Sequence, residues 1–263
     1  MTALTHEQIE ALGAELHDAL ERAAPVDPLI LRHPGLSIED AYRVQRAMVE
    51  HRLRAGQRVV GKKIGVTSKV VMDMLKVDQP DFGQLLSGMA YDDGAAIPAS
   101  GFIAPRAEGE IAFVMARDVQ GPGLTNADLM RSIAWALPCF EIVDSRIRDW
   151  KISIADTIAD NGSAGAFVLG DRMRPPGELD LRNMGMVLEK NGEVIGTGAG
   201  AAALGHPVNC VTWLANKLGE FGIPLKAGEI ILSGSLSLMF PVKAGDSISM
   251  TLCGLGGCRA RFV

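Results

Sequence analysis

The dipeptide Asn191-Gly192, placed between two short β-type runs, is the sequence feature that most restricts how this chain can fold. The runs cover 184–190 and 193–197. A two-residue Asn-Gly connection between such runs is the strongest short-range indication of a β-hairpin. A hairpin requires antiparallel pairing, so this part of the chain does not follow the regular strand–helix–strand alternation of a parallel sheet.

Further short runs with strand composition occur throughout the chain after Gly56. They cover 59–66, 110–116, 140–145, 166–169, 230–233, 247–252 and 259–263. Helical patterns come between them at about 68–75, 126–135 and 208–221. In the C-terminal half the strands mostly follow one another through hairpins. This order predicts an α+β fold with a mixed, mainly antiparallel sheet that is rolled or barrel-like.

The first 56 residues have a helical pattern instead. Thr5 to Gln8 has the sequence of a capping box, and apolar residues then recur at helical spacing. A second helix is expected to begin after Ser37 and to stop near Gly56. We therefore expect a helical N-terminal segment over 1–56 and a β-rich domain over 57–263.

Composition excludes several classes of partner. The net charge is −5 and no block of Lys or Arg is present, which argues against nucleic acid and against an anionic membrane surface. No run of about 18 apolar residues is present to span a bilayer, and the N-terminus has no secretory pattern. The four cysteines form no CxxC pair, which is typical of reduced thiols in a cytoplasmic protein.

Three glutamates are the candidate metal ligands. Glu108 and Glu110 alternate with Ala107 and Gly109, so on a strand both carboxylates point to the same face. Glu141 interrupts an apolar strand, where a lone carboxylate would be costly unless it were paired or metal-bound. Three carboxylates suit a hard divalent ion such as Mg²⁺ or Mn²⁺. The alternative is a solvated Glu108/Glu110 pair with a separate buried ion pair, for example between Glu141 and Arg146.

Other polar positions have two interpretations each. One of the adjacent Lys62 and Lys63 must face the interior, as an acid/base or an anion clamp, or else extend its ammonium to solvent. Asp81 lies in the turn-rich stretch 78–83 and is either a base or a turn residue. Ser163, in the polar loop 160–165, and Ser235, after the strand 230–233, could each hold a substrate carboxylate or simply form a turn.

Taken together, these residues resemble a known family, the 2-oxopent-4-enoate hydratases of bacterial meta-cleavage pathways. That group and its relative 4-oxalocrotonate decarboxylase belong to the fumarylacetoacetate hydrolase-like superfamily. The resemblance extends over nearly the whole chain. It is carried by GKKIGVTSK (61–69), VDQPDFG (77–83), PRAEGEIAF (105–113), PCFEIVDSRIRDWKI (138–152), DTIADN (156–161), TGAGAAALGHPVNCVTWLANKLG (197–219) and LSGSL (232–236).

The resemblance implies a role for each candidate residue. Its metal-binding carboxylates match Glu108, Glu110 and Glu141, and its acid/base pair matches Lys63 and Asp81. Ser163 and, more weakly, Ser235 fall where the family holds its substrate, although Gly162 stands where Ala is usual. The segment 57–263 would then be the catalytic domain, with Mg²⁺ or Mn²⁺ as cofactor.

The expected reaction is the hydration of 2-hydroxypenta-2,4-dienoate to 4-hydroxy-2-oxopentanoate in aromatic catabolism. Two alternatives stay open at this stage: a 4-oxalocrotonate decarboxylase, which would use the same metal and 2-oxo-acid group, and a non-catalytic oligomeric partner of that decarboxylase. The resemblance also implies a homo-oligomer, and some members of the family associate with the decarboxylase.

Overall fold

The computed structural model describes residues 4–263, apart from the side chains of Met74 and Leu75. The helices are α1 (His6–Glu21), α2 (Leu29–Arg32), α3 (Ile38–Arg54), α4 (Lys69–Leu75), α5 (Asn126–Met130), α6 (Ile154–Ala159) and α7 (Pro207–Gly219). The strands are β1 (Val59–Gly65), β2 (Asp81–Leu86), β3 (Ala90–Asp92), β4 (Ala95–Ile97), β5 (Arg106–Met115), β6 (Ile133–Val143), β7 (Ala164–Leu169), β8 (Gly185–Lys190), β9 (Glu193–Ala199), β10 (Ile230–Leu232), β11 (Phe240–Pro241), β12 (Ser247–Leu252) and β13 (Gly256–Phe262).

The strands form two sheets. The larger sheet has the order β2-β1-β10-β5-β6-β7-β3, and β11 pairs with the beginning of β5. The smaller sheet has the order β4-β13-β12-β8-β9. β1 with β10, β3 with β7 and β4 with β13 are parallel pairs, whereas the central pairs are antiparallel. The α+β class and the mixed, mainly antiparallel sheet predicted from the sequence are confirmed.

The Asn-Gly hairpin forms as expected. Asn191 has φ 56° and Gly192 has φ 83°, the pair of left-handed conformations that a two-residue hairpin turn requires. Lys190 and Glu193 pair on either side of the turn. The Asn191 amide also binds the start of the neighbouring strand β12. Its Nδ2 donates to Asp246 Oδ1 at 2.9 Å, and its Oδ1 accepts from the Ser247 N–H at 2.9 Å.

The N-terminal helices pack directly against the rest of the chain. Thr5 and Gln8 make the predicted capping box at the start of α1, and the Ser37 hydroxyl caps α3. From α3, the Gln45 amide Nε2 donates to the carbonyls of Phe82 on β2, at 3.0 Å, and Ile158 on α6, at 2.9 Å. The helical pattern expected before Gly56 is therefore present, while the division of the chain into separate units at 56/57 stays a prediction.

Two segments differ from the sequence-based expectation. The helix expected over 126–135 starts at the Thr125 cap but ends at Met130, because the following strand β6 pairs along β5, with Val114 opposite Trp135. The stretch 78–83 was expected to be a turn, yet Asp81 is the first residue of β2. Both differences have the same cause: pairing with a distant strand overrides the local preference of a short segment.

Alternation along β5 places the candidate site. Gly109 faces the smaller sheet so closely that a Cβ there would lie 2.6 Å from the Met186 sulfur. Ile111 and Phe113 follow on that same face and are fully buried. Glu108 and Glu110 therefore point to the opposite face of the larger sheet. None of the helices that the structure describes is both long enough and apolar enough to cross a membrane.

Candidate active site

Three carboxylates converge on one face of the larger sheet. Glu108 on β5 lies directly opposite Glu141 on β6, and Glu110 lies two residues further along β5. One oxygen from each of the three lies within 4.8 Å of the others. Glu110 and Glu141 are fully buried, and Glu108 is half-buried. The period-two spacing and the β5–β6 pairing together create a compact acidic cluster, which we call the carboxylate cluster.

The cluster carries more negative charge than its neighbours neutralise. Glu110 Oε2 accepts the Gly234 N–H at 2.8 Å. Among residues 4–263, Glu110 Oε1 and Glu141 Oε2 have no hydrogen-bond partner. Burial raises the pKa of Glu141 to about 7, against the opposing charge of Lys63, and burial also raises the pKa of Glu110 well above its usual value. Unpaired, converging carboxylate oxygens of this kind suit a hard divalent cation.

Lys63 is the cation next to the cluster. Its Nζ lies 3.2 Å from Glu141 Oε1 and donates to the Gly162 carbonyl at 2.9 Å. Burial by itself would lower the pKa of Lys63, but the charges of Glu141 and Asp81, followed by those of the other two carboxylates, raise it above its usual value. Lys63 is therefore a charged proton donor held at the edge of the cluster.

The adjacent Lys62 has a different partner. The two lysines point to opposite faces of β1, and each is only 3% exposed. Lys62 Nζ forms an ion pair with Glu229 Oε1 at 2.5 Å. The alternative that one of these lysines extends its ammonium to solvent is therefore wrong, because both charges are paired inside the protein.

Asp81 lies next to Lys63 through the pairing of β1 with β2. Asp81 is opposite Gly65, which is on the same face of β1 as Lys63. A Cβ on Gly65 would lie 2.3 Å from Asp81 Oδ1 and 3.2 Å from Lys63 Nζ, so Gly65 provides the space for both groups. Asp81 is buried, and its Oδ1 has no hydrogen-bond partner among the described residues. Burial raises the pKa of Asp81, while the Lys63 charge opposes that rise.

A strained loop contacts Lys63 beside the cluster. Asn161, Gly162 and Ser163 have φ values of 55°, 61° and 55°, three successive left-handed residues. The Asn161 amide holds the loop on β2, since its Oδ1 accepts from the Gln84 N–H at 2.7 Å and its Nδ2 donates to the Gln84 carbonyl at 2.9 Å. This conformation directs the Gly162 carbonyl at Lys63. The sequence indicated a polar loop with an unusual glycine at 162, but it did not predict that Asn161 holds the loop or that the Gly162 carbonyl binds Lys63.

The Ser163 hydroxyl is held by a residue of a buried ion pair. It donates to Asp160 Oδ2 at 3.1 Å, and Asp160 pairs with Arg146, whose side chain is fully buried. Burial raises the pKa of Asp160 to about 6, although the Arg146 charge opposes the rise. The alternative ion pair between Glu141 and Arg146 is therefore wrong. The Ser163 hydroxyl still has oxygen lone pairs available, and its role in holding substrate stays a prediction.

Ser235 lies on the loop after β10 and is half-buried. Its hydroxyl donates to the Ser237 carbonyl at 2.7 Å, within the loop itself. In the same loop, the Gly234 N–H binds Glu110 directly. The Ser233 hydroxyl is fully buried, and its Oγ has no partner among the described residues. Sequence reasoning identified the loop but gave the role to Ser235, whose predicted substrate contact stays a prediction.

A large cleft lies beside the cluster rather than at it. It has a volume of about 1590 Å³, between α3, the segment before β2 and the end of α7, and it includes Phe82, Gln84 and Phe221 in its walls. None of the three glutamates and neither Lys63 nor Asp81 lines it. We place the candidate chemistry at the carboxylates, because the unpaired oxygens and the displaced pKa values occur there.

The chain is similar to known proteins over most of its length. Residues 42–263 match the family model of the fumarylacetoacetate (FAA) hydrolase C-terminal domain. A 2-hydroxyhexa-2,4-dienoate hydratase of Comamonas testosteroni is 53% identical over 256 residues, which are 97% of each chain. A 2-hydroxypent-2,4-dienoate hydratase of Pseudomonas putida is 57% identical over 216 residues, which are 82% of this chain and 97% of that protein.

The structure is also similar to a solved one. It superposes on 4-oxalocrotonate decarboxylase from Pseudomonas putida G7, complexed with magnesium and adipate, with a TM-score of 0.97 over the full length of both chains. The two sequences are 36% identical. The fold is thus common to hydratases and to a decarboxylase of 2-oxo acids, and it accommodates a magnesium ion in that relative.

Proposed function

Because this chain belongs to the fumarylacetoacetate hydrolase family, we propose that it is a metal-dependent hydro-lyase that hydrates 2-hydroxypenta-2,4-dienoate to 4-hydroxy-2-oxopentanoate. This is a step in the meta-cleavage catabolism of aromatic compounds. The observation that carries the proposal is the carboxylate cluster with Lys63 and Asp81 beside it. The hydratases are 53% and 57% identical to this chain, against 36% for the decarboxylase, and this difference favours hydration.

We assign the metal site to Glu108, Glu110 and Glu141, with Mg²⁺ or Mn²⁺ as the bound ion. The fit rests on the donor set, three carboxylates with unpaired buried oxygens, and on the single ammonium of Lys63 that faces them. When bound there, a divalent ion supplies positive charge that polarises a 2-oxo-acid group.

The proton transfers fall to the two groups beside the cluster. Lys63 is charged and donates one hydrogen bond, to the Gly162 carbonyl, and its contact with Glu141 is an ion pair, so N–H groups remain to deliver a proton to C5 of the dienol. The proton released from the C2 hydroxyl restores the charge of Lys63. Asp81 Oδ1, which has no protein partner, accepts a proton from the water that adds at C4 and returns it to C3. The net reaction adds one water molecule to each molecule of the dienol.

The surrounding residues fix the positions of Lys63 and Asp81 and bury both side chains. Gly162 and Glu141 restrict the Lys63 ammonium, and the absence of a side chain on Gly65 lets Asp81 approach it. Ser163 and Ser235 are proposed to hold the substrate. A positioned acid or base typically contributes about 10²–10⁴-fold to the rate.

The test uses enzymatically generated 2-hydroxypenta-2,4-dienoate with the purified chain and Mg²⁺ or Mn²⁺. We expect loss of the dienol absorbance, formation of 4-hydroxy-2-oxopentanoate by mass spectrometry, and loss of both on adding a chelator. The same protein is then given 2-oxo-3-hexenedioate. Release of CO₂ from that compound without hydration of the dienol would identify a decarboxylase instead. A metal-loaded chain that turns over neither compound would indicate a non-catalytic partner.

Assembly and location form a second part of the proposal. We propose a homo-oligomer in the cytoplasm that forms a complex with the pathway decarboxylase. Light scattering of the purified chain, alone and mixed with that decarboxylase, measures both assemblies directly. A monomer that does not change mass on mixing would contradict this part of the proposal.

A further inference from the structure

Arg106 is a basic side chain beside the carboxylate cluster. It is the first residue of β5, two positions before Glu108, so alternation places it on the same face as Glu108 and Glu110. At about 3.4 Å per residue, its Cα lies roughly 7 Å along the strand from that of Glu108. Arg106 is half-buried, and within the described part of the chain its guanidinium forms no ion pair with a carboxylate.

Stacking on an aromatic ring and a weak N–H···S hydrogen bond hold the guanidinium instead. Its Cζ lies 4.4 Å from the centroid of a Trp150 ring, and the Met239 sulfur is 4.0 Å from Nη1. Trp150 is itself fixed, since its Nε1–H donates to the Ala104 carbonyl at 3.0 Å. Stacking uses the flat face of a guanidinium and leaves the N–H groups at its edge available for an anion.

The strand register places Arg106 next to the cluster, on the side of Glu108 that is away from Glu110. Lys63 Nζ lies 3.2 Å from Glu141 Oε1, and Glu141 is directly opposite Glu108. Arg106 is two residues before Glu108, at the beginning of β5. A small ligand bound at the cluster therefore has the Lys63 ammonium at Glu141 and a guanidinium at the beginning of the strand.

We propose that Arg106 binds the carboxylate of the 2-oxo-acid substrate. The inference rests on the proposed function, because C4 and C5 of that substrate must face Lys63 and Asp81, which turns its carboxylate toward Arg106. A guanidinium matches a carboxylate through two parallel N–H···O bonds. Its charge also offsets the repulsion between an anionic substrate and three glutamates. Trp150 is a positioning residue that orients this guanidinium.

The experiment measures binding without turnover. The Mg²⁺-loaded protein is titrated by calorimetry with 2-oxopentanoate, a saturated 2-oxo acid that cannot be hydrated. Arg106→Met keeps an apolar stem on Trp150 and removes the charge, and we expect affinity to fall about 10- to 100-fold. Arg106→Lys should restore part of it. Arg182→Met, at an exposed arginine before β8, is the matched control and should bind as the wild type does.

Kinetics and metal binding separate this role from a structural one. With the dienol, Arg106→Met should raise KM by a similar factor while kcat changes by less than about threefold, because the contact is made by substrate and transition state alike. Mg²⁺ should still bind the variant. Unchanged affinity of Arg106→Met for 2-oxopentanoate overturns the inference even if the wild type hydrates the dienol. An Arg106-dependent affinity in a protein that does not hydrate the dienol supports the inference and refutes the proposed function.

Discussion

Replacing Glu141 by glutamine should stabilise the metal-free protein at alkaline pH. Glu141 is fully buried, and burial raises its pKa to about 7 from an ordinary value of 4.5. At 1.36 kcal/mol for each pKa unit, keeping this carboxylate ionised in the folded state costs about 3 kcal/mol. Glutamine has nearly the same shape and no charge, so the variant avoids this cost. The attraction of Lys63 is already contained in the pKa of about 7.

The pH dependence follows from the direction of the pKa change. Below pH 4.5 Glu141 is protonated in both the folded and the unfolded chain, and its ionisation has no effect on stability. Between pH 4.5 and 7 the folded state keeps a proton that the unfolded state loses, so stability falls as pH rises. Above pH 7 the full cost is present. The advantage of Glu141→Gln should therefore be small at pH 5 and reach about 3 kcal/mol at pH 8.

The assay is urea unfolding, followed by tryptophan fluorescence, of the metal-free wild type and Glu141→Gln at pH 5 and pH 8. The change in their difference between the two pH values cancels packing effects that do not depend on pH. In thermal unfolding, about 3 kcal/mol corresponds to roughly 6–12 °C for a domain of this size. Glu178→Gln is the control, because that carboxylate is 56% exposed. An equal difference at both pH values, or a shift that favours the wild type at pH 8, would refute the reasoning.

Three further predictions concern the same site. Lys63→Met should lower kcat about 10²–10⁴-fold. The same variant should bind Mn²⁺ more tightly, as measured by electron paramagnetic resonance, because a neighbouring positive charge is gone. Loss of Mn²⁺ binding would instead indicate a structural lysine. Gly65→Ala should lower kcat on the order of 10²-fold without changing metal affinity, because the added Cβ displaces Asp81 Oδ1. An unchanged kcat would show that Asp81 has no role in proton transfer. Calorimetric Mg²⁺ affinity should increase from pH 6 to pH 8, because Glu141 with a pKa of about 7 must lose its proton to bind metal, and a flat profile would contradict the ligand assignment.

Several features were predictable because they depend on residues close together in the chain. The Asn191-Gly192 turn, the Thr5 capping box and the shared face of Glu108 and Glu110 each follow from a spacing of one to three residues. Backbone conformation and side-chain alternation determine such features, and the rest of the fold leaves them unchanged. Helix α5 and strand β2 were predicted wrongly, because pairing with distant strands outweighs weak local preferences.

The site had to be assembled from parts that are far apart in sequence. Glu141 meets Glu108 through strand register, and Lys63 reaches the Gly162 carbonyl across 99 positions. Alternation alone left open which of Lys62 and Lys63 faces the cluster, and only the resemblance named Lys63, because the two faces of β1 are distinguished by what packs against them. The same holds for Arg146, which was paired with Glu141 in one alternative and in fact pairs with Asp160.

The sequence by itself therefore determined the hairpin, the helical beginning of the chain, the set of chemically important side chains and the resemblance that joins them to one family. Only the tertiary structure showed that the three carboxylates converge, how close Lys63 lies to them and where Arg106 lies relative to both. The physical reason is the sequence separation over which each effect acts. Conformational preferences extend over a few residues, whereas burial, ion pairing and displaced pKa values arise only after distant strands pair and exclude water from the groups between them.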